Sequence, residues 1–161
     1  MIPRVKICCI QNEEEAAEAI RSGTYAVGLV GRMPSGPGPI PDEDINRIAK
    51  TVPPTIATFL LTCEQTPQGI IDHHHRTRTN TIQIVDELEG RDYATIRSAL
   101  PGIRLVQVIH VMDESSVDEA CELAYHVDAI LLDSGNPKLE VKELGGTGRR
   151  HDWRLSRKIV E

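Results

Sequence analysis

The sequence predicts an α/β fold made of six consecutive strand-helix units of an eight-unit β/α barrel. Three observations carry that prediction. Short β-branched runs alternate with longer segments of helical spacing along the whole chain, the pattern of parallel β/α architecture. The first apolar run is not followed by the G-x-G-x-x-G fingerprint that marks an open doubly wound sheet. Polar or reactive residues, namely Cys8, Gln83, His110 and Asp133, recur at the C-terminal ends of the apolar runs, the rim on which barrel active sites are assembled.

The strands are expected near Val5 to Ile10, Tyr25 to Val30, Ile56 to Leu61, Thr81 to Val85, Leu105 to Val111 and Ala129 to Asp133. Asn12 is a good N-cap for the first helix. Glu13, Glu14 and Glu15 complement the positive end of its dipole, and Ser22-Gly23 ends it. The second helix opens at Pro41-Asp42-Glu43, presents Ile45, Ile48 and Ala49 to the core, and cannot pass Pro53-Pro54. The third and fourth helices run near Pro67 to Arg76 and Arg91 to Leu100. The fifth starts around Ser115 with Val117, Ala120, Cys121 and Ala124 along one face, and the sixth runs from about Asp152 to Glu161.

Composition narrows the class. At 161 residues, 40% hydrophobic and 26% charged, the chain fits a single domain over residues 1–161 with one core. Aromatics are scarce at 3%, so the core must be aliphatic, as in Ala129-Ile130-Leu131-Leu132. The net charge of −6 and the absence of a long basic cluster argue against a nucleic-acid partner. No apolar run approaches the roughly 20 residues of a membrane helix, and the N-terminus lacks a secretory pattern. Four cysteines without metal-type spacing fit free thiols in a reducing, cytoplasmic setting.

Six units leave an eight-unit barrel two short, and the pattern stops inside an amphipathic helix at Ile159-Val160-Glu161. The expectation is therefore a truncated barrel, a TIM barrel ending after about six units, with open edges at its first and sixth strands that favour self-association.

In Lys6-Ile7-Cys8-Cys9, alternation sends Lys6 and Cys8 to one face and Ile7 and Cys9 to the other. With Ile7 and Cys9 against the helices, Cys8 meets the barrel mouth, where the Lys6 ammonium favours the thiolate and makes it a base or nucleophile. The alternative is that both thiols fill core volume. Asp133, ending Leu131-Leu132-Asp133-Ser134-Gly135, suits general-acid work on an apolar wall or simply shapes the turn. Gly145-Gly146-Thr147-Gly148 lies in a long loop that reads as a lid over a charged ligand or as plain flexible loop. Arg32, in the glycine-proline loop after the second strand, is either a carboxylate clamp or solvated. His73-His74-His75 occupies consecutive helical positions that cannot converge on one ion, so no metal is expected, and His110 reads as a satisfied core residue.

Taken together, Val5-Lys6-Ile7-Cys8, Gln83, Leu131-Leu132-Asp133-Ser134, and Gly145-Gly146-Thr147-Gly148 followed by Asp152-Trp153 resemble phosphoribosylanthranilate isomerase in order along essentially the whole chain. The resemblance implies an Amadori rearrangement in tryptophan biosynthesis. N-(5-phosphoribosyl)anthranilate would become the 1-deoxyribulose phosphate without cofactor or metal, with Cys8 as base and Asp133 as acid. It further implies substrate-binding roles for Lys6, Arg32, Gln83, Gly145, Gly146, Thr147 and Gly148. Three departures stand out: Cys9 replaces the glycine that follows the family's catalytic cysteine, Gln83-Ile84-Val85-Asp86 replaces Gln-Leu-His-Gly, and Pro34-Ser35-Gly36-Pro37 replaces the loop whose arginine holds the anthranilate carboxylate, leaving Arg32 as the nearest substitute. In the family the phosphate sits on loops after strands seven and eight, so little turnover is expected of six units alone. The competing expectations are a non-catalytic partial barrel acting as an interaction module, and a related phosphosugar isomerase with altered preference.

Overall fold

Six strands, all parallel, hydrogen-bond in chain order into one curled sheet in the computed structural model, which describes residues 3–161. They are β1 (Lys6–Ile7), β2 (Ala26–Val30), β3 (Ala57–Thr62), β4 (Thr81–Ile84), β5 (Arg104–His110) and β6 (Ala129–Asp133). Each is followed by a helix: α1 (Glu13–Arg21), α2 (Asp42–Thr51), α3 (Pro67–Thr77), α4 (Tyr93–Ala99), α5 (Ser115–Leu123) and α6 (Trp153–Val160). The predicted order and type of every element hold. A short 3-10 turn, Glu89–Arg91, precedes α4, so the fourth helix begins two residues later than its sequence pattern indicates.

Local chemistry accounts for the helix starts. The Asn12 side chain accepts the Glu15 amide at 2.9 Å, while Glu15 reaches back to the Gln11 amide at 2.8 Å. Together they satisfy donors that the first turn leaves free. Thr66, Asp92 and Asp152 cap α3, α4 and α6 in the same manner.

Strand alternation divides the core into an inner and an outer layer. Val30, Leu61, Val85 and Val108 meet inside the curve of the sheet, with Cys8, Phe59 and Leu131 beside them. The outer side chains meet the helices in two separate clusters. Ala16, Ala19, Ile45 and Ile48 pack with Val27, Leu29 and Leu60 in the first. The second runs from Ile70 and Ile71 through Ile82, Ile84, Tyr93, Ile96 and Ile109 to Leu155. Between the two, α2 meets α3 through polar contacts: Asp42 takes His73 Nε2 at 3.1 Å and Arg76 Nε at 2.6 Å, and Asn46 donates to the Arg76 carbonyl at 3.1 Å.

The histidine triplet does diverge. His73 is buried between Thr62 and Asp42, His74 is buried with Nε2 donating to the Thr79 carbonyl at 2.8 Å, and His75 is exposed. Burial lowers both buried histidines below their ordinary value of 6.5, and the Asp42 carboxylate opposes the shift at His73. Protons therefore bind the unfolded chain first. Stability is full above pH 6.5 and falls as the pH drops from there toward the folded-state values. Urea midpoints measured from pH 7.5 to 5 are expected to decline in the native chain. His73→Gln/His74→Gln should flatten the decline, and an equally steep one in that variant would refute the assignment.

Among the described residues, no helix is long and apolar enough to cross a membrane.

Candidate active site

The inner layer opens at the C-terminal ends of the strands into a cleft of about 250 Å³. Cys8 and Cys9 line one side. Gln83, Leu131 and Asp133 line the other, and Ser35, Pro37, Leu144, Gly145 and Gly146 form the rim above them.

Cys8 comes to this cleft by the predicted alternation, but Cys9 does so against it. β1 ends at Ile7, three residues short of the predicted strand, because Cys9 adopts a left-handed backbone with φ +62°. That turn swings Cys9 away from the helices and into the cleft, where its thiol donates to the Pro37 carbonyl at 3.6 Å. The neighbouring loop leaves room for it. A Cβ on Gly38, itself at φ +95°, would lie 2.7 Å from Cys9 Cβ and 2.8 Å from its sulfur. Gln11 ties the two segments together by donating to the carbonyls of both Cys9 and Gly38, at 3.3 and 3.0 Å. Burial, and then the Cys8 sulfur beside it, push the Cys9 thiol above its ordinary value, so Cys9 stays protonated at neutral pH.

Cys8 itself depends on Gly28 of β2, where any Cβ would fall 2.6 Å from the Cys8 sulfur. Lys6 Nζ lies 3.9 Å from that sulfur, donates to Gln83 Oε1 at 2.7 Å, and sits 4.9 Å above the Phe59 ring. Burial lowers the Lys6 ammonium, and the Cys8 and Cys9 sulfurs work against the shift. The result is one fixed cation between the thiol on the first strand and the amide on the fourth.

Asp133 ends β6 opposite His110, with Oδ1 accepting the Ser134 amide at 2.7 Å. Its Oδ2 faces Gly145, and a Cβ there would stand 2.8 Å from the oxygen. The glycine therefore lets the β6–α6 loop pass directly over the carboxylate. The loop is held as well as long: Asn136 and Glu143 form an antiparallel bridge, and Leu144 is buried in the inner core.

Five of the nine predicted residues, Cys8, Gln83, Asp133, Gly145 and Gly146, thus meet at the cleft, and Lys6 joins them through Gln83. Thr147 and Gly148 stand outside its lining. So does Arg32, whose side chain is exposed and whose carbonyl accepts the Cys63 thiol at 3.1 Å. Arg32, expected as a carboxylate clamp, thus does not line the cleft. Sequence reading missed Gly28, Gly38, Phe59 and Leu144. The first two are glycines inside plain apolar or proline-rich runs, and the last two look like ordinary core residues.

A family model described as N-(5'phosphoribosyl)anthranilate (PRA) isomerase matches residues 5–161. The chain belongs to this family. It is 29% identical over 157 residues to the N-(5'-phosphoribosyl)anthranilate isomerase of Methanocella arvoryzae, covering 98% of this chain and 71% of that one. Among solved structures, the phosphoribosylanthranilate isomerase of Thermotoga maritima superposes with a TM-score of 0.75 at 29% identity, over 96% of this chain and 70% of that one. A second structure of a phosphoribosylanthranilate isomerase, in complex with reduced 1-(o-carboxyphenylamino)-1-deoxyribulose 5-phosphate, matches with a TM-score of 0.69 at 29% identity. That match covers 82% of this chain and 65% of the other. Cys9, which stands where the resemblance places a glycine, shares one volume with Gly38 and donates to the Pro37 carbonyl of the second loop.

Proposed function

We propose that this cleft carries out the Amadori rearrangement of N-(5-phosphoribosyl)anthranilate, with Asp133 as general acid and Cys8 as general base. Asp133 gives its proton to the ribose ring oxygen, and the furanose opens to a Schiff base. The Cys8 thiolate then takes the C2 proton, and the resulting enolamine tautomerises to the ketone of 1-(2-carboxyphenylamino)-1-deoxyribulose 5-phosphate. The observation that carries this reading is the meeting of a strand-one thiol and a strand-six carboxylate at one apolar-walled cleft, with Lys6 beside the thiol. Lys6 and Gln83 are read as orienting the sugar, and Gly145 and Gly146 as admitting it beneath the loop. No step needs a metal or organic cofactor, and four free thiols suit a cytoplasmic setting.

The loops that hold the phosphate in the family follow its seventh and eighth strands, and the described residues contain six. Single-turnover loss of substrate fluorescence, with the 161-residue chain in excess, is therefore expected to be slow but measurable. A rate left unchanged by Cys8→Ala or Asp133→Asn would count against the acid-base assignment, and a rate equal to that of a longer relative against the phosphate argument. A second reading, self-association of the module, draws on the single-sided pairing of β1 and β6 and on Val5 and Ile7, 52% and 36% exposed beside β1. A monomer in light scattering would remove it.

A further inference from the structure

The family motif on the fourth strand ends in glycine, and this chain has Asp86 there. Its carboxylate is 7% exposed and accepts Lys142 Nζ at 2.6 Å, across 56 residues of sequence. Asp86 is a fixed anchor. Its Oδ1 accepts the Glu87 amide at 2.9 Å, and its carbonyl accepts Gln107 Nε2 at 3.0 Å, while Gln107 is itself held by the Tyr93 hydroxyl at 2.8 Å. Lys142 belongs to the β6–α6 loop, two residues before Leu144 and three before the glycine over Asp133. Its carbonyl accepts the Ser35 hydroxyl at 2.6 Å, and Gly146 lies against Pro37, where a Cβ would be 3.4 Å from Pro37 Cδ. One lysine thus joins the loop that covers the acid both to the buried end of the fourth strand and to the loop that covers Cys9.

We propose that Asp86 and Lys142 form an electrostatic latch holding the β6–α6 loop closed over the cleft, with Lys142 as a positioning residue for the chemistry at Asp133. The other ties of the loop to the body near this point are the Ser35 hydroxyl and the apolar seat of Leu144, neither of which carries charge. The ion pair is buried on one side only, which makes it strong enough to bias the loop and open enough to respond to salt. The effect on turnover rests on the Amadori reading above. The latch itself does not.

Access to Cys8 reports closure whether or not substrate is converted. Alkylation of the native chain by N-ethylmaleimide, mapped to Cys8 by peptide mass spectrometry, is expected to be slow at low ionic strength and to accelerate as salt is added. Lys142→Met should raise the low-salt rate about 10-fold and abolish the salt dependence, whereas Lys142→Arg, which keeps the charge, should restore both slow reaction and salt response. A lysine that only fills space would give equal behaviour in Met and Arg. Equal Cys8 rates in the native chain and Lys142→Met, with no salt dependence in either, would overturn the latch. If Lys142→Met proved too unstable to purify, Asp86→Asn, which keeps the shape of the anchor, is expected to give the same acceleration, and an unchanged Cys8 rate in that variant would overturn the latch equally. Faster alkylation in Lys142→Met, together with conversion that Cys8→Ala leaves unchanged, would refute the Amadori reading and leave the latch standing.

Discussion

Asp133→Asn and Cys8→Ala are each expected to slow single-turnover conversion by about 10²- to 10⁴-fold, the usual span of a general acid or base. The asparagine has the shape of the carboxylate and can still accept the Ser134 amide, so the turn that ends β6 survives while the proton for the ring oxygen is lost. Alanine at position 8 removes the base but leaves the backbone close to Gly28 and the Lys6–Gln83 hydrogen bond untouched. Substrate binding should therefore change little in either variant, and the loss should fall on the chemical step. The loss in the combined variant should fall short of the product of the two single losses, because each group serves one stage of a single proton-transfer sequence. Undiminished conversion in either single variant would remove the role given to that residue.

The second large effect falls on stability. Gly38→Ala should destabilise the protein by about 2 to 4 kcal/mol, from a side chain forced into left-handed φ and from its collision with Cys9. In a Cys9→Gly background the clashes with the Cys9 Cβ and sulfur are gone and only the 3.2 Å approach to its Cα remains, so the same substitution should cost about 1 to 2 kcal/mol. Cys9→Gly alone relieves its own left-handed backbone at the expense of some packing and should be nearly neutral. Urea unfolding of the four proteins in a double-mutant cycle measures the coupling. Strict additivity would mean that the two positions do not share one volume.

These two predictions differ in how far the sequence alone could have reached them. Cys8 and Asp133 were legible because strand alternation is a local rule, and both stand where an apolar run meets polar residues. The same rule failed one residue later at Cys9, where the one signal of a left-handed φ is the glycine that the resemblance places there, and that φ reverses the side chain that alternation assigns to the helices. Arg32 was chosen for its charge in a rim loop. Backbone direction decides whether such a side chain reaches the cleft, and here it does not. Gly28 reads as one more small residue in an apolar strand until a sulfur is found against it on the next strand. Asp86 and Lys142 belong to segments 56 residues apart, a separation at which neither periodicity nor capping carries information. The order and type of the six units, by contrast, follow from periodicity and caps that act within a few residues of each other.

The helices pack on the sheet in two clusters, one reaching from α1 and α2 to β3 and the other from α3 to α6. The two clusters sit on one continuous sheet, in which β3 and β4 hydrogen-bond directly beneath the polar contacts of Asp42, His73 and Arg76. The proposed base follows the first strand and the proposed acid ends the sixth, so the gap between them is spanned by five consecutive strand pairings. A change in the register or curl of any one pair would alter the spacing of the two reacting groups without touching either.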